Sequence, residues 1–167
     1  MKLDPLFKSQ SNKLYFLDGR QADALKSISL SACDCVNPKN YDGKTDSLLA
    51  IKIPWSLTGM DEESYNEEFL SSLRDFLKGL EEYKVYAFIV PFADVTCESE
   101  SQKEDFTASM KHCARRIKDC SSIIGFAIPE EVSPSFFMEE LKAKHGHYIF
   151  FSRNQELLLS DPEIVKY

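Results

Sequence analysis

The chain has 167 residues, 43% hydrophobic and 28% charged, the balance of one globular domain long enough to bury a core without disulfide or metal staples. Lys and Arg total 20 against 27 Asp and Glu, a net charge of −7, which weighs against a nucleic-acid binder and its basic face. No apolar run approaches the ~20 residues of a membrane span, and Met1-Lys2-Leu3-Asp4-Pro5 lacks the apolar core of an export signal, so a cytoplasmic setting is expected.

In chain order, 1–47 reads as an irregular N-terminal region with one or two short strands, Lys13 to Leu17 and Ile28 to Cys33, and a turn at Asp18-Gly19. The stretch from Val36 to Ser47 is polar and turn-rich, without a helical stripe. Its join to the next strand is either a stripped-down parallel crossover or an antiparallel link. The core, 48–154, alternates strands and helices. Leu48 to Ile53 is an apolar strand ended by Pro54, with Lys52 its polar exception. Asp61 to Tyr83 carries Tyr65, Phe69, Leu73, Phe76, Leu77 and Leu80 at helical spacing, with Asp61 as the expected N-cap. Val85 to Val90 is a second buried strand, stopped by Pro91. Ser101 and Glu104 form a capping box for a helix that buries Phe106, Met110, Cys113 and Ile117. Ser122 to Ile128 is a third strand. Ser133-Pro134 opens a helix facing inward with Phe137 and Leu141, closed near Gly146, where His145 and His147 mark its end. His147 to Phe151 is a fourth strand. The remainder, 155–167, is a C-terminal packing segment with a short helix around Leu157-Leu158-Leu159.

The five cysteines, Cys33, Cys35, Cys97, Cys113 and Cys120, are an odd number and fit free thiols in a reducing compartment. Cys33-Asp34-Cys35 is a C-x-C pair without the second ligand pair of a zinc site. His112-Cys113 begins like a phosphatase H-C-x5-R loop, but the arginine position is Asp119. No Gly-rich phosphate loop follows any strand. No metal and no cofactor is therefore expected.

The β-α-β-α-β-α-β order with apolar strands argues a parallel sheet. Two architectures satisfy it: consecutive units of a (β/α) barrel, here truncated, or an open doubly wound, flavodoxin-like sheet. In both, function sits at the C-terminal strand ends. Those ends are Ile53-Pro54-Trp55-Ser56, Pro91-Phe92-Ala93-Asp94, Ile128-Pro129-Glu130-Glu131 and Ser152-Arg153-Asn154.

Ile51-Lys52-Ile53-Pro54-Trp55, Val85 to Phe92, Phe106 to Glu131 and Phe137 to Phe151 resemble, in that order, strands two to five of the barrel in family-5 (clan A) glycoside hydrolases. The resemblance covers roughly residues 48–151 and implies a partial barrel with Glu130 at the acid/base position. It implies ligand contacts at Lys52, Trp55, Phe92, Asp94, Glu131 and Arg153, and a carbohydrate or other small-molecule ligand. Three departures stand out: Lys52 replaces the family's arginine, Phe92 its frequent histidine, and Pro129 the asparagine before the glutamate. Retaining hydrolysis also needs a second carboxylate about 5–5.5 Å from the first. The family carries it on strand seven, whereas this chain reads as about five of a barrel's eight strands.

Bland readings stand beside these. Glu130 and Glu131 are also a solvated loop pair, Trp55 a packing residue instead of a sugar-stacking platform, Lys52 a snorkelling side chain, and Asp94 a turn residue. Two function classes stay open. One is a non-catalytic glycosidase-like domain binding a carbohydrate-like ligand or a protein partner, with homo-oligomerisation through exposed sheet edges. The other is an active glycoside hydrolase with Glu130 as acid/base and a nucleophile relocated to Asp94 or supplied by a partner subunit.

Overall fold

The computed structural model describes residues 3–22, 26–44 and 47–167, without the side chains at 26, 27 and 47. Of the stretch from Val36 to Ser47 expected to be turn-rich, Thr45 and Asp46 lie outside these residues. The chain begins with a hairpin of β1 (Phe7–Gln10) and β2 (Lys13–Phe16). Its two-residue turn, Ser11-Asn12, has positive φ at both positions, the mirror-image geometry that matches strand twist. β1 is absent from the sequence expectation. Phe7-Lys8-Ser9-Gln10 carries no β-branched residue, and only the partner strand defines it.

Six parallel strands follow: β3 (Lys26–Ser31), β4 (Ser47–Pro54), β5 (Tyr86–Phe92), β6 (Ile123–Ala127), β7 (Ile149–Ser152) and β8 (Val165–Lys166). The expectation of about five is short by the two-residue β8. The helices are α1 (Trp55–Thr58), α2 (Glu67–Glu82), α3 (Glu100–Arg116), α4 (Pro134–Lys142) and α5 (Gln155–Ser160). Among the described residues no helix is long and apolar enough to cross a membrane.

Strand order in the sheet is β3-β4-β5-β6-β7-β8, the order of the chain. A doubly wound sheet reverses its order midway and places helices on both faces. Here the order never reverses. The helices' buried apolar side chains, Leu70, Leu77, Phe106, Met110, Phe137 and Leu158 among them, all join Leu49, Ile51 and Ile53 of β4 in one cluster on one face. This is the winding of a β/α barrel, left open because β3 and β8 do not pair. The flavodoxin-like alternative is thereby set aside.

The other face holds Leu48, Ala50, Phe88, Ile124, Ala127, Phe151 and Val165, and among the described residues no α-helix contributes to its apolar cluster. The N-terminal hairpin does so instead. Phe7 and Leu14 belong to this cluster, and the Phe7 ring lies 4.7 Å from Phe16 and 4.8 Å from Tyr86. Asn12 ties the hairpin to the C-terminal segment: its side-chain amide donates to the Asp161 and Ile164 carbonyls at 2.9 and 2.7 Å.

The β3–β4 connection is the stripped-down parallel crossover, built of 3-10 turns at Ala32–Asp34 and Pro38–Tyr41. Tyr41 packs edge-on against Phe76 of α2. Pro38 fills the space over Gly79, where an added Cβ would stand 2.2 Å from its ring. A mid-helix glycine costs roughly 1 kcal/mol in propensity, and here it admits a turn that replaces a whole crossover helix.

Two of the three expected helix starts move, while Ser133-Pro134 opens α4 as expected. Asp61 does not cap α2: its Oδ1 accepts from Glu63 N–H and Ser64 Oγ–H in a local turn, and Asn66 caps the helix instead. Tyr65 consequently leaves the apolar stripe and stacks on His112 at 4.1 Å. α3 uses the capping box Ser99/Gln102, two residues ahead of Ser101/Glu104; both pairs fit the template, and the earlier one adds helix hydrogen bonds.

Candidate functional site

The C-terminal ends of β5, β6 and β7 open on a groove of about 670 Å³. Three successive strand-to-helix turns build it. β5 delivers Val90, Pro91 and Phe92; the β6–α4 turn delivers Pro129, Glu130, Glu131 and Val132; β7 and its following turn deliver Ser152, Arg153 and Asn154. Four of the sequence candidates, Phe92, Glu130, Glu131 and Arg153, thus share one cavity. Phe92 is 39% exposed and presents an aromatic face at the rim.

The two adjacent glutamates have separate tasks. Glu131 Oε1 accepts a hydrogen bond from the Ala93 backbone N–H at 3.1 Å, joining the β6–α4 turn to the end of β5. Glu130 is exposed and lines the groove. Tyr167, which sequence reasoning missed, also lines the groove. Its ring packs edge-on against Phe88 at 5.0 Å and Phe151 at 6.4 Å. Arg153 lies over its outer face, 4.5 Å from the centroid. Burial raises the Tyr167 hydroxyl above its usual range, with Arg153 opposing that shift and Glu130 adding to it. The only sequence signal for Tyr167 was Ile164-Val165, a dipeptide too short to announce the strand that carries it.

The remaining candidates stand apart. Trp55 is corrected outright: it is 1% exposed and packs against Phe106 within the helix-side core, so no ligand can stack on it. Its alternation with Ile51 and Ile53 sends it inward. Lys52 projects from the opposite face of β4 in register with Val90 and is exposed, beside the groove without lining it. Asp94 is held by Ser56, whose backbone N–H donates to Oδ1 at 3.0 Å and whose hydroxyl donates to Oδ2. Burial pushes its pKa up, but these hydrogen bonds outweigh it and hold the carboxyl below the usual carboxylate range. Asp94 therefore ties α1 to the turn after β5 and is not among the groove-lining residues.

Among the described residues no group of three or more His, Cys, Asp and Glu side chains is arranged to hold a metal ion. Cys33 is exposed with its Sγ 3.1 Å from Ser31 Oγ, while burial pushes the Cys35 thiol up to about 12. A larger furrow, about 1030 Å³, lies on the helix layer between Tyr65, His112, Phe136 and His145. Several of its polar groups serve one another. Lys111 pairs with Glu140 at 2.6 Å, and His112 bonds Glu67 at 2.6 Å and Arg115 at 2.9 Å. Strand-end chemistry belongs to the smaller groove.

No protein-family model and no curated protein matches the chain. Among solved structures it is similar to the catalytic domain of Thermobifida fusca endoglucanase Cel5A, determined in complex with cellotetraose. The TM-score is 0.63 at 9% identity, covering 87% of this chain and 52% of that one. The chain thus spans about half the length of that catalytic domain. At such identity the likeness is one of fold, and it is the partial (β/α) barrel that the resemblance to family-5 glycoside hydrolases implied.

Proposed function

We propose that this chain is a non-catalytic, glycosidase-like partial barrel that binds a carbohydrate in the groove at the ends of β5, β6 and β7. The observation that carries the reading is the inventory of carboxylates. Among the described residues, Glu130 and Glu131 are the only carboxylate side chains lining the groove; they are adjacent in sequence, and Glu131 is engaged by the Ala93 N–H. Glycosidases flank the scissile bond with two carboxylates, about 5–5.5 Å apart in retaining enzymes and 6.5–9.5 Å in inverting ones. A proton donor acting alone contributes roughly 10²–10⁴-fold, far below ordinary enzymatic acceleration. Phe92, 39% exposed, offers an aromatic ring on which an apolar sugar face stacks. The structurally similar endoglucanase domain was determined with cellotetraose, which makes that oligosaccharide the first ligand to try.

The experiment pairs binding with turnover. Cellotetraose is titrated by calorimetry against the wild-type chain and Glu130→Gln, and aryl cellobioside hydrolysis is followed for both. Saturable binding without turnover is the expected result. Turnover that disappears in Glu130→Gln would instead establish an active hydrolase with its nucleophile elsewhere. A second copy of the chain, paired along the free edge of β3, is the protein partner that goes with this reading; sedimentation velocity across a concentration series tests it.

A further inference from the structure

We infer that the groove selects a sugar bearing a carboxylate, a uronic acid unit, and that Arg153 is the residue that reads it. This rests on the carbohydrate reading above and adds the ligand's charge. Arginines are few in this chain, five in all. Arg20 bonds Asp18, Arg74 bonds Asp119, Arg115 bonds His112 and Arg116 pairs with Glu67. Arg153, among the described residues, gives its guanidinium N–H groups to no acceptor, and it lines the groove.

Its position is nevertheless set. The guanidinium lies over the Tyr167 ring, and that ring is fixed edge-on against Phe88 and Phe151, themselves stacked at 4.1 Å. A cation–π contact uses no hydrogen-bond donor and so leaves the five guanidinium N–H groups unspent. A planar fork held in place with its donors open matches a carboxylate, which accepts two parallel hydrogen bonds. Lysine at this position would supply charge without the fork.

The surroundings narrow the anion. The chain carries −7 overall, and Glu130 shares the groove. A multiply charged group such as a phosphate meets that repulsion in full, whereas a single delocalised carboxylate on a hydroxylated ring meets less of it. The ring's hydroxyls are donors that Glu130 accepts. Carboxylate toward Arg153, hydroxyls toward Glu130 and an apolar ring face toward Phe92 together describe a uronic acid.

The test uses the full chain and two probes of equal length, cellotetraose and the same tetrasaccharide with its terminal unit oxidised at C6 to a single glucuronate, titrated at low salt. Wild type is expected to bind the acidic probe at least about tenfold more tightly, the step expected of one charge-assisted bidentate contact. Arg153→Gln removes that preference, and Arg153→Lys keeps only part of it. Trp55 fluorescence confirms that each variant is folded. Equal or tighter binding of cellotetraose overturns the inference but leaves the carbohydrate reading standing. An acidic preference that survives Arg153→Gln overturns the assignment to Arg153. Binding of neither probe removes both.

Discussion

Phe7→Ala tests whether the N-terminal hairpin is part of the cooperative core or a flap laid over it. Phe7 is 6% exposed, with aromatic neighbours on both sides at 4.7 and 4.8 Å. Burying a phenylalanine side chain is worth about 1.5–3 kcal/mol by transfer, and the cavity term brings Phe→Ala to 3–5 kcal/mol in rigid cores. A hairpin of two four-residue strands can close in on part of the void, so about 3 kcal/mol is expected. With a urea m-value near 2 kcal/mol/M for a chain of this size, the midpoint falls by roughly 1.5 M. The lone tryptophan makes the assay decisive. Trp55 is buried on the helix side of the sheet, away from Phe7. Its fluorescence therefore follows the loss of Phe7 only if both faces unfold together. Coincidence with far-UV circular dichroism checks the two-state assumption. A midpoint shift below about 0.4 M (under ~1 kcal/mol) would refute the hairpin's membership in the core.

Three further outcomes are expected. Gly125→Ala places a Cβ 1.7 Å from the Ile149 carbonyl oxygen, so β6 and β7 must part; a loss of at least about 3 kcal/mol or insoluble expression follows, and near-wild-type thermal stability would contradict the β6–β7 register. His145 is buried, and burial, with help from His147, Lys118 and Lys144, pushes its pKa down from 6.5 to about 4. The unfolded chain then binds the extra proton, so stability is complete above pH 6.5 and falls as pH drops toward 4. The ceiling is ~3 kcal/mol, and solvent screening of the two lysines leaves ~1–2 kcal/mol. His145→Gln should flatten this part of a urea-midpoint profile against pH, and an unchanged slope would count against the assignment. Trp55→Phe gives up ring area but also removes an indole N–H that is buried with no hydrogen-bond partner among the described residues. Stability should stay within about 1 kcal/mol of wild type and saccharide affinity should not move; a drop in affinity at unchanged stability would return Trp55 to the groove.

The sheet was legible because its strands are apolar on both faces and its helices carry apolar residues at three- and four-residue spacing. The same two-sided apolarity hid which face each residue takes. Leu49, Ile51, Ile53 and Trp55 share one parity, and once the helix side is known Trp55 must be core. The helix caps were misplaced because Asp61 and Ser101 fit their templates as well as Asn66 and Ser99 do, and local turn bonds decided between them. The elements that escaped notice, β1, α1 and β8, are four residues or shorter, below the length at which a pattern repeats. At the site, the rule that function gathers at C-terminal strand ends found Phe92, Glu130, Glu131 and Arg153. Tyr167 was beyond it, because its place depends on tertiary packing against Phe88 and Phe151.

The tie between Asn12 and the C-terminal segment bears on how copies of this molecule can associate. Asn12 N–H donates to the Pro162 carbonyl and its own carbonyl accepts from Lys166 N–H, so the backbone beyond β8 is already engaged. Of the two border strands of the six-stranded sheet, β8 is thus engaged by the hairpin, and β3 is the one left without a strand on its outer side among the described residues. A body with one adhesive border can be joined once, about a twofold axis, after which nothing is left to extend. Edge-to-edge growth into fibres would require the hairpin to let go first.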